Sequence, residues 1–361
     1  MEGTAGGSAA PEPSVGTGGT PSPRIVQTMR LRRTFRNRPR GRYSPRMKRV
    51  IASSAEVRHA LERIRSLRGD QAALREFALE VLPGEGNPEL LSVALRALAP
   101  AVRPEDHEVL RDLYDYFGAD GKRQDPGGAV RIEILGALWH LRNAYDRGLA
   151  EQAASTVEVT AQGDGAMLRA AGLALLGMLD PEAANLRAVE ILGQNDAEPM
   201  NGEPAATAAR LLVANGETVA LALYAHAFEE SAPPEVMAEC LRGMTAVPAE
   251  RIEGLLRDVS MSRSDVVMLG FSDFLLGHQP EDLVSEFARR VFRSAGLEVY
   301  GYFAAAVVAS RRDDLMSVFL ETLETETSQA KRKVARAALE LAAPSAAVEV
   351  ARVGLGVGSR K

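Results

Sequence analysis

Two twelve-residue segments, 130–141 (VRIEILGALWHL) and 168–179 (LRAAGLALLGML), align without a gap. Val130 matches Leu168, Arg131 matches Arg169, and Leu135, Leu138 and Leu141 match Leu173, Leu176 and Leu179. The apolar residues recur three and four apart, the spacing of one face of an α-helix. The Leu135 position recurs as Leu61 and Val93 on one side, and as Leu211, Leu241, Phe271, Phe303 and Val334 on the other. From Val93 onward the anchors lie 42, 38, 38, 30, 30, 32 and 31 residues apart. Between them runs a second amphipathic segment, such as PEDHEVLRDLYDYF, PEAANLRAVEILG, PAERIEGLLRDV or DDLMSVFLETLE. One helix pair cannot bury its apolar face alone. A period of this length with two helices per unit therefore confines the chain to a stacked array.

Helix starts are marked by Pro-Glu pairs at Pro88-Glu89, Pro104-Glu105, Pro181-Glu182, Pro234-Glu235 and Pro280-Glu281. Proline suits the first helical turn, where its missing N–H has no partner to lose. Glutamate beside it favours the positive end of the helix dipole. Asn87 and Asp180 precede two of these pairs and are good N-caps. β-branched alternation and apolar-flanked Asn-Gly hairpins are nearly absent, so the expected fold is all-α.

The array resembles the HEAT and HEAT-like repeat family over residues 55–357, about eight or nine units. The resemblance implies a right-handed α-solenoid of stacked helical hairpins. It also implies an extended concave face, usually lined by the second helix of each pair, for binding another protein. Tetratricopeptide repeats fit less well, because the spacing drifts and their Trp-Gly-Tyr-Pro signature is missing. HEAT-like hydroxylases of the deoxyhypusine type carry several His-Glu pairs for two irons. Here only His107-Glu108 occurs, so that activity is not expected. Trp139, His140, Arg142, Tyr145 and Asp146 offer a weak likeness to the base-recognition cleft of HEAT-like DNA glycosylases. The spacing of Trp139 from Leu135 favours core packing instead.

Charge is unevenly spread. Residues 1–55 carry 11 Lys and Arg against two acids, and residues 56–361 carry 32 against 46. Residues 1–54 read as a disordered tail, first Gly/Pro-rich and then Arg-rich, too poor in apolar residues to offset the entropy of ordering. Residues 358–361 read as a short C-terminal tail. Arg30, Arg32, Arg33, Arg36, Arg38, Arg40, Arg42, Arg46, Lys48 and Arg49 form a candidate polyanion-binding arm, with Phe35 and Tyr43 available to stack on bases. Met29 and Met47 are alternative starts: the first would keep this arm, the second would leave only Lys48 and Arg49 of it.

The opposite charge collects at residues 194–241, with eight acids against the single base Arg210. Glu217, Glu229, Glu230, Glu235 and Glu239 are the candidate contacts for a partner with a basic segment. Near the end of the array, Lys331, Arg332, Lys333 and Arg336 form a basic spot of the kind that keeps a capping repeat soluble. The lone Cys240 excludes an intrachain disulfide and a multi-cysteine zinc site, and beside Leu241 it reads as a core thiol. No two of the five histidines stand four apart in a metalloprotease pattern, and GLGVGSRK has phosphate-loop glycines but no helix after it. No apolar run reaches the length of a membrane span.

The expectation is a cytoplasmic, non-enzymatic adaptor without cofactor, binding a protein along its second helices. The alternatives are a nucleic-acid-associated protein using the basic arm, and a HEAT-like lyase or glycosylase.

Overall fold

A computed structural model describes residues 53–82 and 86–357. These belong to the unit Arg46–Lys361. The expected tail, its basic arm from Arg30 to Arg49, and residues 358–361 lie outside the described residues, apart from Ser53 and Ser54.

The described chain is helical, with no strand beyond two isolated bridges, Thr160 with Gly163 and Ala197 with Pro204. Its helices follow one another in pairs. The order begins α1 (Ser54–Ser66) and α2 (Gln71–Val81), then α3 (Pro88–Leu98) and α4 (His107–Gly118). After the short α5 (Gly121–Gln124) come α6 (Ala129–Leu141) and α7 (Arg147–Ala153), then α8 (Ala166–Leu179) and α9 (Pro181–Gly193). Next are α10 (Ala205–Ala214) with α11 (Thr218–Ala227), α12 (Pro234–Gly243) with α13 (Glu253–Val259), and α14 (Asp265–Gly277) with α15 (Asp282–Ser294). The last pairs are α16 (Leu297–Ser310) with α17 (Asp313–Glu324), and α18 (Gln329–Glu340) with α19 (Ala346–Val357).

Local chemistry sets the starts. Ser53 and Glu56 close a capping box at α1. The Asn87 side chain accepts from the amides of Glu89 and Leu90, and Asp180 accepts from Ala183, so the two expected caps are in place. Pro88, Pro181 and Pro234 each open their helix, whereas α15 begins two residues after Pro280.

The nine anchors read from the sequence fall on nine first helices, one on each of α1, α3, α6, α8, α10, α12, α14, α16 and α18. Leu135, Leu173, Leu241, Phe271 and Phe303 are buried. Val93, Leu211 and Val334 are half-buried, and their next neighbours Ala94, Leu212 and Ala335 take the fully buried place. That is a phase error of one residue, about 100° around the helix.

Each first helix packs on the next along the whole series, from α1 on α3 to α16 on α18. Each second helix from α2 to α15 also packs on the first helix of the following pair. Among the described residues, second helices pack on one another at α9–α11, α15–α17 and α17–α19, and the turn 249–251 ahead of α13 packs on α15. The result is a single apolar core connected from Val57 to Leu355, consistent with an α-solenoid.

The core changes character along the chain. Leucine and alanine dominate it through α12, with Tyr114, Phe117 and Tyr224 as its buried aromatics, and then Phe271, Phe274, Phe287, Phe292, Phe303 and Phe319 take over. Phe292 lies 4.7 Å from Phe303 and 4.9 Å from Phe319, centroid to centroid, linking α15, α16 and α17. Cations close several helix ends in this half. Arg312 donates to the Leu275 and Leu276 carbonyls at 3.0 Å each. Lys331 donates to the Phe292 and Arg293 carbonyls at 3.1 and 3.2 Å and sits 5.0 Å from the Tyr300 ring centroid. Lys331 thus fastens the last pairs together rather than only solubilising them.

Candidate functional site

Three interhelical connections, 119–128, 154–165 and 194–204, lead into α6, α8 and α10, and two buried arginines tie them together. Arg131 enters α6 at its third residue. Its Nε donates to Asp125 at 3.1 Å, and its two Nη groups reach Glu158 at 2.9 and 2.7 Å. Arg169 repeats the device one pair later, with Asp196 accepting at 2.9 and 2.7 Å and Asp164 at 3.0 Å. Both guanidinium groups reach an acid 27 residues ahead, so the clip is part of the repeat. Asp125 also accepts from the amides of Val130 and Arg131 at 3.0 and 3.1 Å, capping α6. The Arg131 and Arg169 side chains are 3% and 2% exposed, so the bidentate geometry must compensate their desolvation.

Burial alone pulls the Arg131 guanidinium down; the Glu158 and Asp125 carboxylates outweigh it and hold its pKa above the ordinary value. Arg131 in turn holds Glu158 below its ordinary 4.5. A depressed carboxylate contributes stability that is full above pH 4.5 and is lost as pH falls through the folded value. Glu158→Gln is therefore expected to cost about 1–3 kcal/mol at pH 7. It should also flatten the loss of stability below pH 4.5. Melting temperatures of both proteins between pH 3 and pH 6 check this; parallel curves would contradict it.

A second series joins the second helices. Asp106 accepts from Arg75 of α2, Asp146 accepts from His107 and Arg111 of α4, and Asp180 is ion-paired with Arg147 of α7. Asp146 is fully buried with these partners, so it is a fastening and not one wall of a base-recognition cleft with Trp139. Trp139 is half-buried against the core. A third series crosses the first helices α10, α12, α14 and α16. Arg210 pairs with Glu203 and Glu239, Arg242 with Glu239 and Asp273, and the Tyr302 hydroxyl donates to Asp273.

The five candidate glutamates are thereby separated. Glu239 is engaged by Arg210 and Arg242, and Glu235 is half-buried in the first turn of α12. Glu217 is exposed just before α11, and Glu229 and Glu230 are exposed just after it. At 1.5 Å per residue the two ends stand roughly 15–20 Å apart. Asp258 of α13, which lies outside the acidic stretch, joins Glu229 and Glu230. Burial and then the Asp258 carboxylate push the Glu229 carboxyl up, His226 pulls it back, and Glu230 adds a lesser push upward. Among the described residues no ion pair engages Glu217, Glu229, Glu230 or Asp258.

Further along, Glu250, Glu253, Pro280, Glu281, Asp282, Leu283 and Glu286 line an open groove of about 590 Å³ between α13 and α15. Negative charge thus continues along the second-helix side.

The sequence reading missed an apolar surface beside these acids. Leu186 and Val189 of α9 and Val219 and Leu223 of α11 are 66%, 44%, 69% and 67% exposed. The available signal was α11 itself, TVALALYAHA, which has no charged residue on any face although it lies at the surface.

Comparison with protein-family models, curated proteins and solved structures finds no match.

Cys240 is fully buried, and burial followed by the nearby Glu239 pushes its thiol up to about 12, so it behaves as a core group. Among the described residues no group of three or more His, Cys, Asp or Glu side chains is placed to hold a metal ion. No helix among them is long and apolar enough to cross a membrane.

Proposed function

We propose that the chain is a HEAT-like, right-handed α-solenoid of nine helical pairs, acting in the cytoplasm as a non-enzymatic scaffold for a protein partner with a basic segment. Nine anchors on nine first helices and one continuous core support the architectural part. One observation carries the binding part. Glu229, Glu230 and Asp258 stand together with no ion pair to a Lys or Arg among the described residues, Arg257 beside them being paired with Glu253, and Glu217 is likewise unpaired, in a chain that spends most of its buried acids on cations. Like charges held together oppose folding, and a partner's Lys or Arg would relieve that repulsion while steering the encounter.

The test is capture from extracts of the native host at rising salt. Full-length protein is compared with a Glu217→Lys, Glu229→Lys, Glu230→Lys variant. Glu239 is left intact because it belongs to the first-helix ion pairs. The wild-type partner is expected to elute between about 0.1 and 0.5 M salt, the range over which surface charges are screened, and the variant should fail to retain it. A partner indifferent to both salt and the substitutions would remove the proposal.

A further inference from the structure

The acids at the two ends of α11 frame the exposed apolar surface, and together they define a shape as well as a charge. Leu186 and Val189 are three residues apart on α9, and Val219 and Leu223 are four apart on α11, so each pair occupies one helical face. The two helices pack side by side. Four large apolar side chains therefore line two adjacent ridges, a grouping unlike single scattered surface leucines. Glu182 on α9, and Glu217, Glu229 and Glu230 around α11, are exposed about this surface. Arg187 is the single Lys or Arg of the two helices, and it is turned away to the Ala154 carbonyl at 3.1 and 3.2 Å and to Glu190.

We propose that the exposed faces of α9 and α11 dock an amphipathic helical segment of another protein. Its apolar stripe covers Leu186, Val189, Val219 and Leu223, and its Lys or Arg flanks meet Glu217 at one end and Glu229 and Glu230 at the other. This is the helix-in-groove mode, in which apolar anchors recur at three and four residues. The separation of the acids requires basic flanks about a dozen residues apart on the incoming helix, at 1.5 Å per residue. A second copy of the chain is a poor occupant. A two-fold contact would set Glu217 of one molecule against Glu229 and Glu230 of the other, and like charges across an interface are repulsive. The inference rests on the scaffold reading and adds the partner's shape and seat.

The test uses full-length protein and a phage-displayed library of random 16-residue peptides. Selection on the wild type is expected to enrich peptides with apolar residues at helical spacing and Lys or Arg towards both ends. Anisotropy measured with labelled selected peptides should show at least tenfold weaker binding to a Leu186→Glu, Leu223→Glu variant. These positions are exposed, and a melting curve will show that the variant keeps its fold. The Glu217→Lys, Glu229→Lys, Glu230→Lys variant should lose most of the salt dependence. Enrichment of no peptide class, or peptides held equally by the leucine variant, would overturn the docking face. So would a concentration-dependent dimer in sedimentation that the leucine substitutions abolish. Binding insensitive to the leucines but lost with the three glutamates would overturn this seat and leave the scaffold reading standing. That reading fails separately, by the salt-indifferent native partner described above.

Discussion

Arg131→Met is expected to destabilise the protein by about 3–5 kcal/mol, the range for removing one partner of a buried ion pair. Most of the loss falls on Asp125, whose side chain is 1% exposed and cannot turn to water. It keeps the Val130 and Arg131 amides, which softens the effect but leaves a buried carboxylate without a counter-charge. Glu158, at 17% exposure, suffers less because it can hydrate. Adding Asp125→Asn to Arg131→Met should recover part of the stability, since a neutral amide still caps α6 and carries no charge to bury. Urea denaturation followed by circular dichroism measures the total. Hydrogen exchange should place the loss in residues 119–165, because stability in stacked arrays is largely a sum of neighbour interactions. A loss below about 1 kcal/mol, the level of an exposed pair, would show that the clip does not hold these connections together.

Gly270→Val is expected to cost about 3 kcal/mol or more, the upper part of the range for overpacking. A Cβ at Gly270 would lie 2.5 Å from the Ala238 Cα and 2.7 Å from its carbonyl oxygen. Both are backbone atoms, so relief requires α14 to move away from α12 and open the core between them. Gly136 provides the contrast. It lies within α6, and a Cβ there meets nothing within 4 Å. Gly136→Ala should therefore stabilise by about 0.5–1 kcal/mol, the helix-propensity difference. Thermal melts of the two variants should move in opposite directions; a Gly270→Val protein that melts with the wild type would refute the close approach.

Much of the helical plan was legible because the repeat imposes one pattern nine times. Leu135, Leu173 and Phe271 announce their helices by spacing alone, and Asn87 and Asp180 announce starts by chemistry. Phase was less secure where alanine does the packing. Ala94 and Ala335 are small enough to be passed over in favour of Val93 and Val334, though close helix contact selects the smaller residue. The Arg131–Arg169 match was visible, but its meaning was not. The acids that answer them, Glu158 and Asp196, lie 27 residues away in irregular connections where no periodicity applies.

The acidic stretch was visible as composition. Its division was not, because Glu239 faces Arg242 and Arg210 across helix surfaces while Glu229 faces Asp258 on another helix. Exposure of Leu186 and Leu223 is likewise a property of what neighbours leave uncovered. A run of leucine and alanine reads the same whether a face is buried or bare.

The intimacy of α12 and α14 at Gly270 bears on how such a chain deforms. A row of helices in contact along its whole length has a fixed arc, since neither stretching nor compressing it is possible without breaking van der Waals contact. Among the described residues the opposite row packs helix on helix at α9–α11 and α15–α17–α19, and from α2 to α9 it is held by ion pairs at Asp106, Asp146 and Asp180, so its slack lies between α11 and α13. Pulling the ends apart would leave the tight row as a backbone of constant length and fan the loose one, in the manner of a bound book opening from its edge. Compliance would then concentrate between α11 and α13, where no such ion pair bridges the second helices among the described residues, while the span from α15 to α19 moves as one stiff block.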